Sequence, residues 1–396
     1  MFAVLAAGCS SGGAHPKPAL PVGGPPRVVR IALAHILWPL DPTHARTRDE
    51  TALARVLFAT PLRTDPVSGA ILPGLCSSWR VSAGGRVWRL RCSHAVAIAA
   101  QLRRTSLLGD AEVTAPDAST LALSLRRPDS HLPYLLTTVP AAPPGVPGPF
   151  RLLSASPRRV VAERDGLRLD IRQLDPPAAL RLFRAGRLDE APVPLGDIRA
   201  VQRDPQLGGA VRVRPLLGVD ALVFQPGGSV AGLPKVRRVY DDTADRADYQ
   251  ALVPEFEAPP AENLVDRTRP SARKAAIRAR KGRLAIPSLP KVAVRVARPG
   301  DPDLAYGANL LVASWRDLGL GAVVGGGRPD ARFERLLAPY PRPSALPGLV
   351  RGRAVIPIAW VADARLVSPR LRGWAEDELG DVDYTRVRLR GPSPSR

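Results

Sequence analysis

Residues 71–92 read ILPGLCSSWRVSAGGRVWRLRC. Two short runs with apolar alternation flank Gly84 and Gly85: Trp79 and Val81 lie on one side, Val87 or Trp88 and Leu90 on the other. Glycine supplies the positive φ that a tight turn needs, so the stretch is predicted to be a β-hairpin. A loop at 83–85 sets Cys76 directly opposite Cys92. A non-hydrogen-bonded antiparallel pair brings Cα atoms to about 4.5 Å, near the short end of disulfide reach. The two cysteines are therefore predicted to be bonded.

Working outward, strands and helices alternate, which argues an α/β fold. Residues 28–34 form an apolar strand candidate. Thr47 and Glu50 have capping-box spacing, and Leu53, Val56 and Leu57 make one face of a helix expected over 48–59. A shorter helix is expected at 97–104. Strands are expected near 148–153, 160–164, 167–174 and 221–224. Asp175 caps a further helix with proline in its first turn, and Gly186 ends it. Leu304, Ala308, Leu311, Trp315 and Leu318 recur at helical spacing until Gly319, ahead of a strand at 321–324.

The order of these pieces resembles the family 5 solute-binding proteins, the receptors of peptide and nickel ABC importers. The matching residues are LDP at 40–42, LFATPL at 57–62, ILPGL at 71–75 and SWRVSAGGRVWRLR at 78–91. They continue with GPFRLL at 148–153, AGRLD at 185–189, the helical run 233–253 and the return strand and turn at 354–374. After Cys92 the family's longer FHDG loop is missing. The resemblance implies a two-lobe α/β fold with a hinge and an interlobe cleft. Lobe I would comprise 27–218 plus 353–396, and lobe II 219–352. It implies capture of a small peptide-like or anionic solute for an ABC permease, by a monomer with no catalytic role and no cofactor. A cell-envelope interaction protein that kept the fold and lost transport is the alternative, followed by a basic nucleic-acid-associated protein.

The first residues, MFAVLAAGCSS, end an apolar run in AAGC, which resembles the lipobox of bacterial lipoproteins. Cys9 would then carry a lipid anchor, with 1–26 as signal and tether and the rest outside the cytoplasm, where a Cys76–Cys92 bond can persist. The apolar run is short and lacks a basic n-region. The chain has 396 residues and a formal net charge of +21, from 57 basic and 36 acidic side chains. Only five of the basic residues are lysine, at 17, 235, 274, 281 and 291. With abundant Ala, Pro and Gly, this points to a GC-rich coding bias rather than to nucleic acid. The most basic segment, 266–283, has no interleaved aromatic residue and reads as a solvated helix face.

Catalytic signatures are absent: the sequence has no HExxH, CxxC, Walker or GxSxG pattern, and its five histidines are scattered. No metal ligand set emerges. The family lines its cleft with aromatic residues, which implies Trp38, Tyr340 and Trp360 as solute contacts. Its peptide-binding members carry WxADYxxP, whose Asp meets the peptide's free amine. Here residues 336–343 read LLAPYPRP, with Pro339 at the Asp position and Arg342 nearby. The resemblance thus implies a solute that is neutral or anionic, with Arg342 as a contact, rather than a peptide held by its amino terminus.

Overall fold

The computed structural model describes residues 27–45, 47–65, 70–105, 108–109, 111–141, 148–226, 234–246, 264, 293–300, 302–339, 345–350 and 352–390. Cys9, the segment 266–283, Tyr340 and Arg342 lie outside them.

Strand β1 (Arg27–Leu33) opens the described chain and leads to a helix at Arg48–Leu57. That helix starts on a complete capping box: the Thr47 hydroxyl accepts the Glu50 N–H, and the Glu50 carboxylate accepts the Thr47 N–H at 2.8 Å. Its apolar face, Leu53, Ala54, Val56 and Leu57, is buried. A short pair, β2 (Leu62–Thr64) and β3 (Ile71–Pro73), then leads into the hairpin β4 (Cys76–Ser82) and β5 (Val87–Cys92). The hairpin joins β6 (Glu112–Asp117) and β7 (Thr120–Ser124) in a four-stranded sheet ordered β4-β5-β7-β6. The helix Ala95–Arg104 packs on this sheet through Ile98, Ala99 and Leu102.

Cys76 and Cys92 are joined by a disulfide. The route to it differs from a simple three-residue turn. The ladder closes at Ser82 opposite Val87, so the turn holds one residue more than the expected loop. An unbroken ladder in that register would put Cys76 out of step with Cys92. A bulge between Cys76 and Ser78 restores the pairing, and the Ser77 hydroxyl donates to the Arg91 carbonyl at 3.3 Å. Ala83, Gly84 and Gly85 all have positive φ, which is where the two glycines are needed. The core side of β5 is Trp88, Leu90 and Cys92, which settles the open choice between Val87 and Trp88.

Three antiparallel strands follow: β8 (Arg151–Ser156), β9 (Arg159–Arg164) and β10 (Leu167–Gln173). The chain continues through β11 (Glu190–Pro192) into the long β12 (Val211–Phe224). Next come β13 (Val294–Ala297), β14 (Ala322–Val324), β15 (Ala331–Leu337) and the second long strand, β16 (Val355–Val367). A final small pair is β17 (Leu371–Arg372) and β18 (Arg388–Leu389). One ten-stranded sheet runs β14-β13-β15-β12-β16-β11-β1-β10-β9-β8.

Two apolar cores sit at opposite ends of this sheet. One gathers β1, β9, β10 and the helix Arg48–Leu57 around Ile31, Leu53, Phe150 and Leu169. The other gathers β13–β15 and the helix Pro302–Asp317 around Trp315, Tyr240 and Phe333. The rings of Tyr240 and Trp315 meet edge-on with centroids 5.0 Å apart. Among the described strands, β12 and β16 alone run from one half to the other. Val211 and Val213 pack with the group around Leu188 and Leu366, whereas Leu222, Phe224 and Ile356 belong to the far core.

Candidate functional site

The place to look is where β12 and β16 cross from one half to the other. Their antiparallel ladder is interrupted there: Pro215 pairs Ala362, but the next pair is Val219 with Trp360. Three residues of β12 thus face one of β16, a bulge that bends the crossing. The freed backbone finds other partners. Leu217 donates its N–H to the Glu378 carbonyl at 2.7 Å and accepts the Ala338 N–H at 2.8 Å. Gly218 is closely packed: a Cβ would stand 2.6 Å from Leu337 Cδ2, which would have to move, and 3.1 Å from the Leu336 carbonyl oxygen.

One side of β16 at this crossing is ionic. Asp363 and Arg365 are two residues apart on a strand and share a face. Arg365 is almost wholly buried. It donates to Glu190 Oε1 at 2.5 Å and to Asp363 Oδ2 at 3.1 Å, with Glu376 Oε1 at 3.5 Å and Asp49 Oδ1 at 3.9 Å. Arg48, at the start of its helix, reaches Asp363 and Glu376 and donates to the Gly380 carbonyl at 2.5 Å. The Glu190 Oε2 atom accepts the Trp374 indole N–H at 2.8 Å and the Tyr384 hydroxyl at 2.9 Å. Further along the same face, Asp220 is held bidentately by Arg335 at 2.8 and 3.0 Å.

Titration follows from this packing. Burial pushes the Asp363 carboxyl up, but the Arg48 and Arg365 guanidiniums outweigh it and hold the group well below the ordinary carboxylate range. Burial, with the Asp363 charge beside it, pushes Glu376 up to about 8 against the pull of the same two arginines. A protonated Glu376 therefore donates to ionised Asp363, and two cations face Asp363, Glu190 and Asp49. Tyr384 is pushed well above its ordinary value by burial and by the Glu190 charge. The carboxylates are spoken for by guanidiniums. Among the described residues no group of three or more His, Cys, Asp or Glu is placed to hold a metal ion.

The other side of β16 is apolar. Trp360, expected from the resemblance at the solute surface, is only 2 % exposed and packs among Leu217, Val219, Leu336, Ala338, Leu346 and Leu379. The reason is register: it pairs Val219, whose side chain points into the same cluster. Ala338 in this cluster is followed by Pro339, whose carbonyl accepts the Thr138 hydroxyl at 2.6 Å. That bond ties the helix Leu132–Thr138, packed on the hairpin sheet, to the chain leaving β15. Trp38, by contrast, is 49 % exposed. Its loop is tethered to the ionic side, because Asp49 Oδ2 accepts the N–H groups of Ala34 at 2.6 Å and His35 at 3.3 Å. Of the two, the structure leaves only Trp38 open to solvent.

Sequence reasoning missed the ionic group altogether. Its one local signal is ADAR at 362–365, opposite charges at spacing two inside a strand that is otherwise apolar.

No protein-family model matches the chain, and no curated protein sequence matches it. Solved structures do match over nearly its whole length. The Escherichia coli murein tripeptide binding protein MppA aligns with a TM-score of 0.71 at 15 % identity, covering 92 % of this chain and 99 % of that one. Listeria monocytogenes OppA bound to peptide aligns with a TM-score of 0.70 at 11 % identity, covering 93 % and 100 %. NikA from Brucella suis, in complex with Fe(III)-EDTA, aligns with a TM-score of 0.66 at 13 % identity, covering 92 % and 100 %. At such identities the likeness is one of fold. The chain has the two-lobe α/β architecture of the family 5 solute-binding proteins.

Proposed function

We propose that this protein is a solute-binding protein of an ABC import system, which takes a small solute between lobe I (27–218 and 353–396) and lobe II (219–352). The observation that carries the reading is the end-to-end match of the fold, 92 % of this chain with 99 % of MppA. Ligand pockets favour domain interfaces, and hinge closure over a ligand is a general device for which the periplasmic binding proteins are a standard illustration. The crossing of β12 and β16 supports this reading. A bulge, a glycine packed closely against Leu337 and, among the described residues, two through-going strands are the features of a hinge.

Trp38, Tyr340 and Arg342 are the proposed solute contacts; Trp360 backs the cleft from within its apolar cluster. Pro339 offers no carboxylate, so a peptide's free amine would be desolvated without its partner. The solute class is therefore neutral or anionic. A thermal-shift screen on the purified chain tests the reading, with small anions, acetylated peptides and free peptides as the panel. A saturable rise in melting temperature with one class supports it. A flat response across the panel, in protein that native mass spectrometry shows to be free of bound solute, contradicts it.

The anchor belongs to the same proposal. Cys9 follows AAG and precedes a polar stretch, which fits lipid attachment and a site outside the cytoplasm. Among the described residues no helix is long and apolar enough to cross a membrane. Labelling cells with a fatty-acid probe is the test: the native chain takes up label and Cys9→Ala does not. Equal labelling of the two overturns the anchor.

A further inference from the structure

A cavity of about 350 Å³ lies in the first half of the molecule, between the start of β1, the β9–β10 turn and the C-terminal strand β18. It shares Tyr384 with the ionic group at the crossing and has no part in the solute-binding reading. Its rim is cationic: Arg27, Arg164 and Arg388 line it, with Asp165 as the one carboxylate. Asp165 is 85 % exposed and sits 3.1 Å from Arg164 Nε, so among the described residues one rim charge is answered and two are not. The Arg27 guanidinium has no hydrogen-bond or ion-pair partner among the described residues. Among the described residues Arg388 donates only through Nη1, to the carbonyls of Thr385 and Val387 at 2.9 Å each. Its Nε and Nη2 groups are left to face the cavity or solvent.

The floor is apolar. Phe150, Leu167 and Leu389 line it, each 9 % exposed or less, together with Tyr384. Cationic groups that line one cavity leave a positive charge there which an anion placed among them would answer. Arginine forks match phosphate oxygens in pairs. The volume is in the range of small-molecule pockets rather than of a lone inorganic anion. A ligand that answers both parts has a charged head and an apolar tail.

We propose that this cavity is a second binding site, which takes an anionic amphiphile: a phosphate-type head between Arg27, Arg164 and Arg388, and the first carbons of an apolar chain over Phe150, Leu167 and Leu389. The head and chain describe a bilayer lipid or a free phosphorylated amphiphile equally. The formal net charge of +21 draws either towards the protein.

Calorimetry on the full chain tests the site with three probes: monomeric dihexanoyl phosphatidic acid, glycerol 3-phosphate and inorganic phosphate. One equivalent of the phosphatidic acid is expected to bind, at least tenfold tighter than inorganic phosphate, with glycerol 3-phosphate between them. The probe series needs no variant. The double variant Arg27→Glu, Arg388→Glu is expected to lose tenfold or more in affinity for the phosphatidic acid with its circular-dichroism melt unchanged. The pair Arg316→Glu, Arg332→Glu, exposed arginines elsewhere, is expected to bind as the native chain does. Co-sedimentation with phosphatidylglycerol but not phosphatidylcholine vesicles, lost in the first double variant, assigns the ligand to the bilayer. Binding of the monomeric probe without co-sedimentation assigns it to the free pool. Absence of binding, phosphate binding as tightly as the phosphatidic acid, or equal losses in the two double variants overturns the site.

Discussion

The two sides of β16 are held by opposite physics within a few residues of each other. On one side Trp360 sits in an apolar cluster and is 2 % exposed. On the other, Asp363 and Arg365 are bound into a group of ions drawn from β11, the helix Arg48–Leu57 and the C-terminal segment. Apolar packing is non-directional, so that side tolerates small shifts and its contribution changes little with pH or salt. The ionic side is directional and all-or-none. Each buried charge is tolerable only while its partners stay in place. The difference teaches where this crossing is soft and where it is fixed. The apolar cluster leaves the strands free of directional ties on its side, while the ionic group fixes the register of β16 against β11, the helix Arg48–Leu57 and residues 374–384.

The largest expected effect breaks the ionic side. Arg365→Ala leaves Glu190, Asp363 and Glu376 facing each other in a buried space. The stability loss is expected to be about 3–5 kcal/mol, read as the shift of a denaturant midpoint. A loss under 1 kcal/mol would show that the group is no anchor. On the apolar side, Trp360→Leu is expected to cost about 2–3 kcal/mol through the void it leaves. That loss should be the same at pH 5 and pH 8 and in high salt, and a pH-dependent loss would erase the contrast between the sides. At the bulge, Gly218→Ala drives a methyl against Leu337 and the Leu336 carbonyl. It is expected to cost about 1–2 kcal/mol, with a changed affinity for any solute found, because the bend itself must shift.

The smallest effect is the sharpest test of the ionic side. In the folded protein Glu376 keeps its proton up to about pH 8, whereas in the unfolded chain it loses it near the ordinary carboxyl value of 4.5. The unfolded state therefore holds fewer protons across that window, and stability falls as pH rises through it, by no more than about 1.4 kcal/mol per unit. Asp363 works in the opposite sense and in another window. Its stabilisation is lost only as pH falls below its unfolded value of 3.8. Glu376→Gln keeps a donor towards Asp363 and an acceptor towards Arg48. It is expected to change stability at pH 5 by under about 0.5 kcal/mol and to flatten the slope between pH 5 and 8. An unchanged slope would mean that Glu376 is ionised in the fold.

Much of the fold is legible in local chemistry. The Thr47–Glu50 box, the Asp175 cap and the Gly84–Gly85 turn each act within four residues, and each appears where its residues stand. The hairpin shows the limit. Cys76 and Cys92 are paired, but a longer turn and a bulge at Ser77 produce the pairing together, and neither is visible in the alternation alone. The strand expected at 221–224 is the end of one that begins at Val211, because exposed arginines at 212 and 214 hide its first half. The ionic group was not legible because its members are far apart: Arg48 and Glu376 are 328 residues apart, and Arg365 and Glu190 are 175 apart. Trp360 reads as an aromatic near a cleft by resemblance. Its burial depends on which side of β16 it occupies, and the bulge opposite decides that.

Calorimetry with di- and tripeptides, beside the same peptides acetylated at the amino terminus, is the most direct test of the claim that the lobes capture a solute without a carboxylate for its amine. By the resemblance of 336–343 to WxADYxxP, Pro339 takes the place of that carboxylate. The account expects the acetylated forms to bind at least as tightly as the free ones, with anionic sequences the tightest. Tight binding of the free peptides that disappears on acetylation would contradict it.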